Sequence, residues 1–208
     1  MSIDEPSYRE FHSVEEANEW ADTHYAELLD ISQEDELYKL ILFYTGSWYK
    51  SLNQLLRICP PLGTTDFDSL NFDEYEDEKK EIIKINRVLN HYSLPENIIV
   101  HRYTHLRYIL KMTGRHILRK GCSFSDRAFL STTLVKDQLK DFARKYRCDC
   151  VLRIGLPEGM HGACVNFEEN RKHLNEPEFL LPPNTKLKIT KIHLFTWPVQ
   201  IDCVAHIG

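Results

Sequence analysis

The sequence predicts an α+β fold in which a helical N-terminal portion packs on a sandwich-like β core, and two observations carry that expectation. Residues 1–95 repeat apolar side chains every three to four positions, the period that turns one face of a helix toward a core. From Ile98 onward, short β-branched runs alternate with turn residues, the pattern of a sheet. With 208 residues and 42% hydrophobic content, the chain can bury a substantial core, and it shows no repeat, low-complexity tract or long linker. A single domain over 1–208 is expected, helical over 1–95 and β-rich over 96–208.

Taken in order, Ser13-Val14-Glu15-Glu16 has capping-box spacing, and Val14, Ala17, Ala21, Tyr25 and Leu28 then form one apolar face up to about Asp30. Ser32 opens a second helix with Leu37, Leu40, Ile41 and Tyr44 inward, which Gly46 is expected to interrupt. Ser47 is expected to cap a third, whose stripe is Leu52, Leu55 and Leu56. Tyr49, Asn53 and Arg57 recur every four residues there as a separate polar row, facing either solvent or a ligand. Residues 59–65, with Pro60, Pro61 and Gly63, read as a loop, and the acid-rich stretch 66–78 suits the start of a helix over 79–92. Strands are expected at 98–103, 128–133, 150–156, 163–167, 179–181, 186–195 and 199–205, with helical pieces at 105–112 and 136–146.

The formal net charge of -5 and pI near 6.1 supply no chain-wide basic footprint for nucleic acid or an anionic membrane, so neither is an expected partner. The first ten residues lack the basic start and apolar centre of a signal peptide, and nowhere do about 18 apolar residues run together. The expected location is cytoplasmic, or a host or target cell reached by a signal-peptide-independent route. Six cysteines, at 59, 122, 148, 150, 164 and 203, lack zinc spacing and read as reduced core thiols, so no metal is expected.

Candidate chemistry lies in three places. Asn175-Glu176-Pro177-Glu178-Phe179-Leu180-Leu181 puts two carboxylates two residues apart where a loop enters an apolar strand; in an extended segment they share a face. Two such acids take divided roles when their surroundings push their pKa values apart, or they are a solvated pair. Arg102 ends the apolar run Ile98-Ile99-Val100-His101-Arg102, and its planar donor fork suits either a phosphate or an internal carboxylate. Ser131 and Thr133, in Phe129-Leu130-Ser131-Thr132-Thr133, lie on one strand face and offer hydroxyls that can donate to carboxylates.

An Arg on one strand, Ser-Thr-Thr on a second and Glu-x-Glu at a third, in that order, resembles the arginine-serine-glutamate class of mono-ADP-ribosyltransferases. The likeness is to bacterial exoenzyme-type catalytic domains similar to the iota-like toxins, and it runs from about Tyr44 to Ile189. The resemblance implies NAD as substrate, with Arg102 at its phosphates and Ser131 holding Glu178, the catalytic carboxylate. Glu176 would orient and deprotonate the acceptor; in that class Glu at this position goes with arginine and Gln with asparagine, so a target protein with an accessible arginine is implied. Tyr49, Asn53, Arg57, Thr133, Phe142 and Lys145 carry over as further NAD contacts, and the loop 166–175 as the contact to the protein substrate. Thr133 replaces the usual Ser, Tyr103 stands where a second Arg often follows the strand Arg, and Pro177 stiffens the acceptor loop. The competing functions are a catalytically inactive NAD- or protein-binding module and an NAD glycohydrolase.

Overall fold

A computed structural model describes residues 7–29, 36–58, 75–167 and 176–206. The expected loop 59–65, most of the acid stretch 66–78 and residues 168–175 lie outside them. Helix α1 (Val14–His24) starts where the capping box predicts: the Ser13 hydroxyl accepts the Glu16 N–H at 3.1 Å. The expected single helix stops at Tyr25, whose buried ring separates α1 from the short α2 (Ala26–Leu29).

The chain passes through Gly46 rather than stopping there. Helix α3 (Glu36–Phe43) widens into one π turn (Tyr44–Trp48) and continues as α4 (Tyr49–Ile58). A lone Gly costs a helix only about 1 kcal/mol, less than the buried side chains on either side, Ile41, Tyr44 and Leu52, contribute. Helix α5 (Glu76–His91) carries three acids in its first turn and buries Ile82, Ile85 and Leu89.

The remaining elements are β1 (Ile98–Thr104), α6 (Leu106–Thr113), β2 (Ser123–Ser125), β3 (Leu130–Thr133), α7 (Lys140–Lys145), β4 (Cys150–Leu156), β5 (Ala163–Cys164), β6 (Glu178–Leu181), β7 (Lys186–His193) and β8 (Val199–His206). A single 3-10 turn, Lys136–Leu139, leads into α7. The strands form one mixed eight-stranded sheet in the order β2-β7-β8-β4-β1-β3-β6-β5, with β4 and β8 parallel and every other pair antiparallel. The α+β expectation therefore holds. Strand β2 was not expected, because three residues of Ser-Phe-Ser are too short to show a period.

One junction in this sheet differs from the rest. Strands β1 and β4 are in register from Ile98↔Leu156 to Thr104↔Cys150, whereas β1 meets β3 at the single pair His101↔Thr133. The ladder opens beyond that pair, and Arg102, the next residue of β1, donates from its guanidinium to the Ser131 carbonyl on β3. A side chain thus replaces the missing backbone bond and leaves a recess between two leaves of sheet.

Helix α4 is pinned behind β3 by Asn53, which is buried. Its carbonyl accepts the Phe129 N–H at 3.1 Å and its amide donates to the Tyr44 hydroxyl at 3.0 Å. The described cysteines, 122, 148, 150, 164 and 203, are all buried, and burial pushes the thiols of Cys150 and Cys203 up to about 12, which leaves those two inert. Replacing Asn53 by Ala strands the Phe129 N–H; denaturant titration should show unfolding free energy falling by about 2 kcal/mol.

Candidate active site

The two glutamates converge through a turn, not through strand alternation. Pro177 has no N–H and a fixed φ, and around it the Glu178 N–H folds back to the Glu176 carbonyl at 2.7 Å. The Pro177 carbonyl accepts the Leu134 N–H at 2.9 Å, and the Glu178 carbonyl accepts the Val165 N–H at 3.0 Å. Both flanking segments therefore fix the corner, and β6 begins at Glu178 opposite Thr133.

This corner closes a cavity of about 230 Å³ in the gap between β1 and β3. Glu176, Glu178, Ser131, Arg102, Tyr49, Asn53 and Phe142 line it, so the sequence-predicted residues from five separate segments meet there. The Ser131 hydroxyl donates to Glu178 Oε1 at 2.6 Å. Arg102 is bound to the Ser131 carbonyl, so one residue of β3 holds both the cation and the carboxylate.

The Glu178 carboxyl is pushed up to about 7 from an ordinary 4.5, chiefly by burial and further by the negative Glu176 beside it. The Ser131 hydrogen bond and the Arg102 charge act in the opposite sense without cancelling burial. Burial alone raises Glu176. The site thus holds two carboxyls with different surroundings, one clamped by a hydroxyl and one without such a donor among the described residues.

Three predicted contacts lie outside this cavity. Arg57 turns its fork to Asp126, with Nε to Oδ1 at 2.9 Å and Nη2 to Oδ2 at 2.6 Å, so its charge is spent on a buried carboxylate. Asp126 also accepts from the Tyr108 hydroxyl at 2.9 Å and the Ala128 N–H at 3.1 Å. Thr133 is buried, and its hydroxyl accepts the Val135 N–H at 3.2 Å, closing the exit of β3. Lys145 stands over the Tyr146 ring at 5.4 Å. Conversely, Thr45, Tyr103 and Leu139 line the cavity and were not expected; apolar and hydroxyl side chains carry no charge signal that would single them out. Asp126 was equally silent, since its partner lies 69 residues away.

Among the described residues no cluster of three or more His, Cys, Asp or Glu side chains could hold a metal ion. The sequence profile described as "ADP-ribosyltransferase exoenzyme" matches residues 17–201. No curated protein sequence gives a significant match. Among solved structures, Plx2a, an ADP-ribosyltransferase toxin from Paenibacillus larvae, superposes with a TM-score of 0.72 at 20% identity over 95% of this chain and 99% of its own. C3stau2 from S. aureus, solved with NAD, gives 0.75 at 17% identity over 97% of this chain and 100% of its own. BECa, from a binary enterotoxin of C. perfringens and solved with NADH, gives 0.70 at 21% identity, over 96% of this chain and 50% of its own.

The raised carboxyl has a thermodynamic signature. Between an unfolded value near 4.5 and a folded value near 7, the native state keeps a proton that the unfolded chain has released. Stability from this group is therefore fully present below about 4.5 and is lost as pH rises through about 7. Glu178→Gln cannot ionise, so its stability relative to wild type should rise by about 2 to 3 kcal/mol from pH 5 to pH 8 in urea titrations.

Proposed function

The chain belongs to the ADP-ribosyltransferase exoenzyme family, and from that premise we propose that it transfers ADP-ribose from NAD to an arginine side chain of a target protein, releasing nicotinamide. NAD is the substrate of this family, and the reading rests on one observation above the others: Ser131 clamps Glu178 at 2.6 Å while Glu176 opens into the same cavity.

Each group has a stated task. Arg102 keeps donors free beyond its bond to the Ser131 carbonyl, and these meet the NAD phosphates. Tyr49, Asn53 and Phe142 complete the walls around the nicotinamide end. When the C1′–N bond of the nicotinamide ribose breaks, its electron pair leaves with nicotinamide and neutralises the pyridinium. Positive charge then sits on the ribose as an oxocarbenium-like cation. Ionised Glu178, fixed by Ser131, accepts from a ribose hydroxyl and faces that charge; a preorganised group of this kind contributes about 3 to 4 kcal/mol. The positively charged nicotinamide ring of bound NAD favours the ionised form of a carboxyl that is half-protonated near pH 7.

The acceptor guanidinium is a poor nucleophile while protonated. Glu176, whose carboxyl burial has made more basic, takes that proton as the arginine nitrogen bonds to C1′. The choice of arginine rests on this carboxylate, since an amide in its place could orient an acceptor but not deprotonate it. Residues 1–208 would act as one catalytic domain. By analogy with the relatives described as toxins, the protein would act as a bacterial toxin or effector inside another cell.

Purified protein incubated with labelled NAD and a cell lysate should label a protein band through a linkage that survives ester-cleaving treatment. Glu178→Ala should lower both labelling and nicotinamide release by at least about a hundredfold. Glu176→Gln should release nicotinamide within about tenfold of wild type yet lose protein labelling by at least about a hundredfold. Nicotinamide release without any labelled band from wild type would establish a glycohydrolase instead, and neither product would establish a binding module.

A further inference from the structure

The turn between β7 and β8 carries three large apolar side chains that touch almost nothing: Leu194 is 72% exposed, Phe195 104% and Trp197 80%. This is a built projection. The Thr196 hydroxyl donates to the His193 carbonyl at 2.9 Å and accepts the Gln200 N–H at 3.0 Å, and His193 pairs with Asp202 at 2.7 Å behind the turn. Single exposed apolar residues are ordinary, but three at one ordered tip form a patch that calls for a partner.

A second feature adjoins it. A cavity of about 810 Å³ lies between α7 and this turn, and Trp197 forms part of its wall together with Lys136, Lys140, Arg144 and Arg147. Asp137 is the one acid on that wall among the described residues. Residues 136–147 hold five cations against two acids, in a chain whose net charge is -5. Lys140 pairs with Asp137 at 2.9 Å and Lys136 donates to Gln200 at 2.9 Å, which orients both chains along the cavity.

We propose that the β7–β8 tip and the cationic cavity beside it form a docking surface for an anionic lipid membrane. An apolar projection with cations set back around its base fits a bilayer surface, where aromatic rings settle at headgroup depth and Lys and Arg meet lipid phosphates. A protein partner would instead have to supply an apolar recess for the tip. The overall acidity of the sequence predicted no membrane partner; charge averaged over the whole chain conceals a basic patch confined to twelve residues.

Co-sedimentation of the full chain with phosphatidylcholine vesicles, with and without phosphatidylserine, tests this directly. Binding is expected only to the phosphatidylserine vesicles, with a blue shift of Trp197 emission, and it should weaken as salt rises. Phe195→Ser with Trp197→Ser should lower vesicle affinity about tenfold, as should Lys140→Glu with Arg147→Glu. All variants are to be compared at wild-type far-UV dichroism, and Trp197→Phe should keep binding while losing the blue shift. Failure of wild type to sediment with anionic vesicles overturns the proposal. So does loss of binding in the charge variant but not in the tip variant, or capture of soluble glycerophosphoserine without capture of vesicles.

Discussion

Ser131 connects the two halves of the site, and most of the molecule's arrangement follows from what its two oxygens do. The carbonyl accepts from Arg102 across the open end of the β1–β3 junction, and the hydroxyl donates to Glu178 at 2.6 Å. A continuous ladder between β1 and β3 would satisfy more backbone bonds, but it would leave no space for a ligand. The single register pair His101↔Thr133 is the compromise. The sheet remains connected, and the guanidinium and carboxylate that could not sit in a closed sheet face each other in the gap.

Support for this gap comes from polar groups behind it. Asn53 ties α4 to the entry of β3, and the buried Asp126 gathers Arg57, Tyr108 and the Ala128 N–H just upstream. On the far side of β1, buried His101 lies 3.2 Å from Glu10, to which Arg153 donates from both Nε and Nη2. Burial drives the His101 ring down to about 4, so it stays neutral and adds no second cation beside Arg102. These contacts fix the backbone on which the cavity-lining side chains stand, in keeping with the need for preorganised charge in a dry site.

Much of this was legible in the sequence, for physical reasons. Strand β4 runs over the predicted residues because it is buried on both faces, and Ser13 capped α1 because a hydroxyl at that spacing has one natural acceptor role. Arg102, Ser131 and the two glutamates stood out because charge or hydroxyl at the end of an apolar run needs a partner. What stayed hidden depended on distance or on packing. Arg57 looked available until Asp126 appeared, 69 residues on, and Gly46 looked like a helix stop although buried neighbours on both sides carry the helix through it. The Glu-Pro-Glu corner was read as extended, yet the proline makes it a turn.

The central claim is that burial in the β1–β3 gap, tempered by the Ser131 hydroxyl, sets the ionisation of Glu178. An NMR titration of the Glu178 side-chain carboxyl, in wild type and in Ser131→Ala, measures this without reference to any substrate. The account predicts a midpoint near 7 in wild type and a higher one when the hydroxyl is removed. A wild-type midpoint near the ordinary 4.5, or one that does not rise in Ser131→Ala, would contradict it.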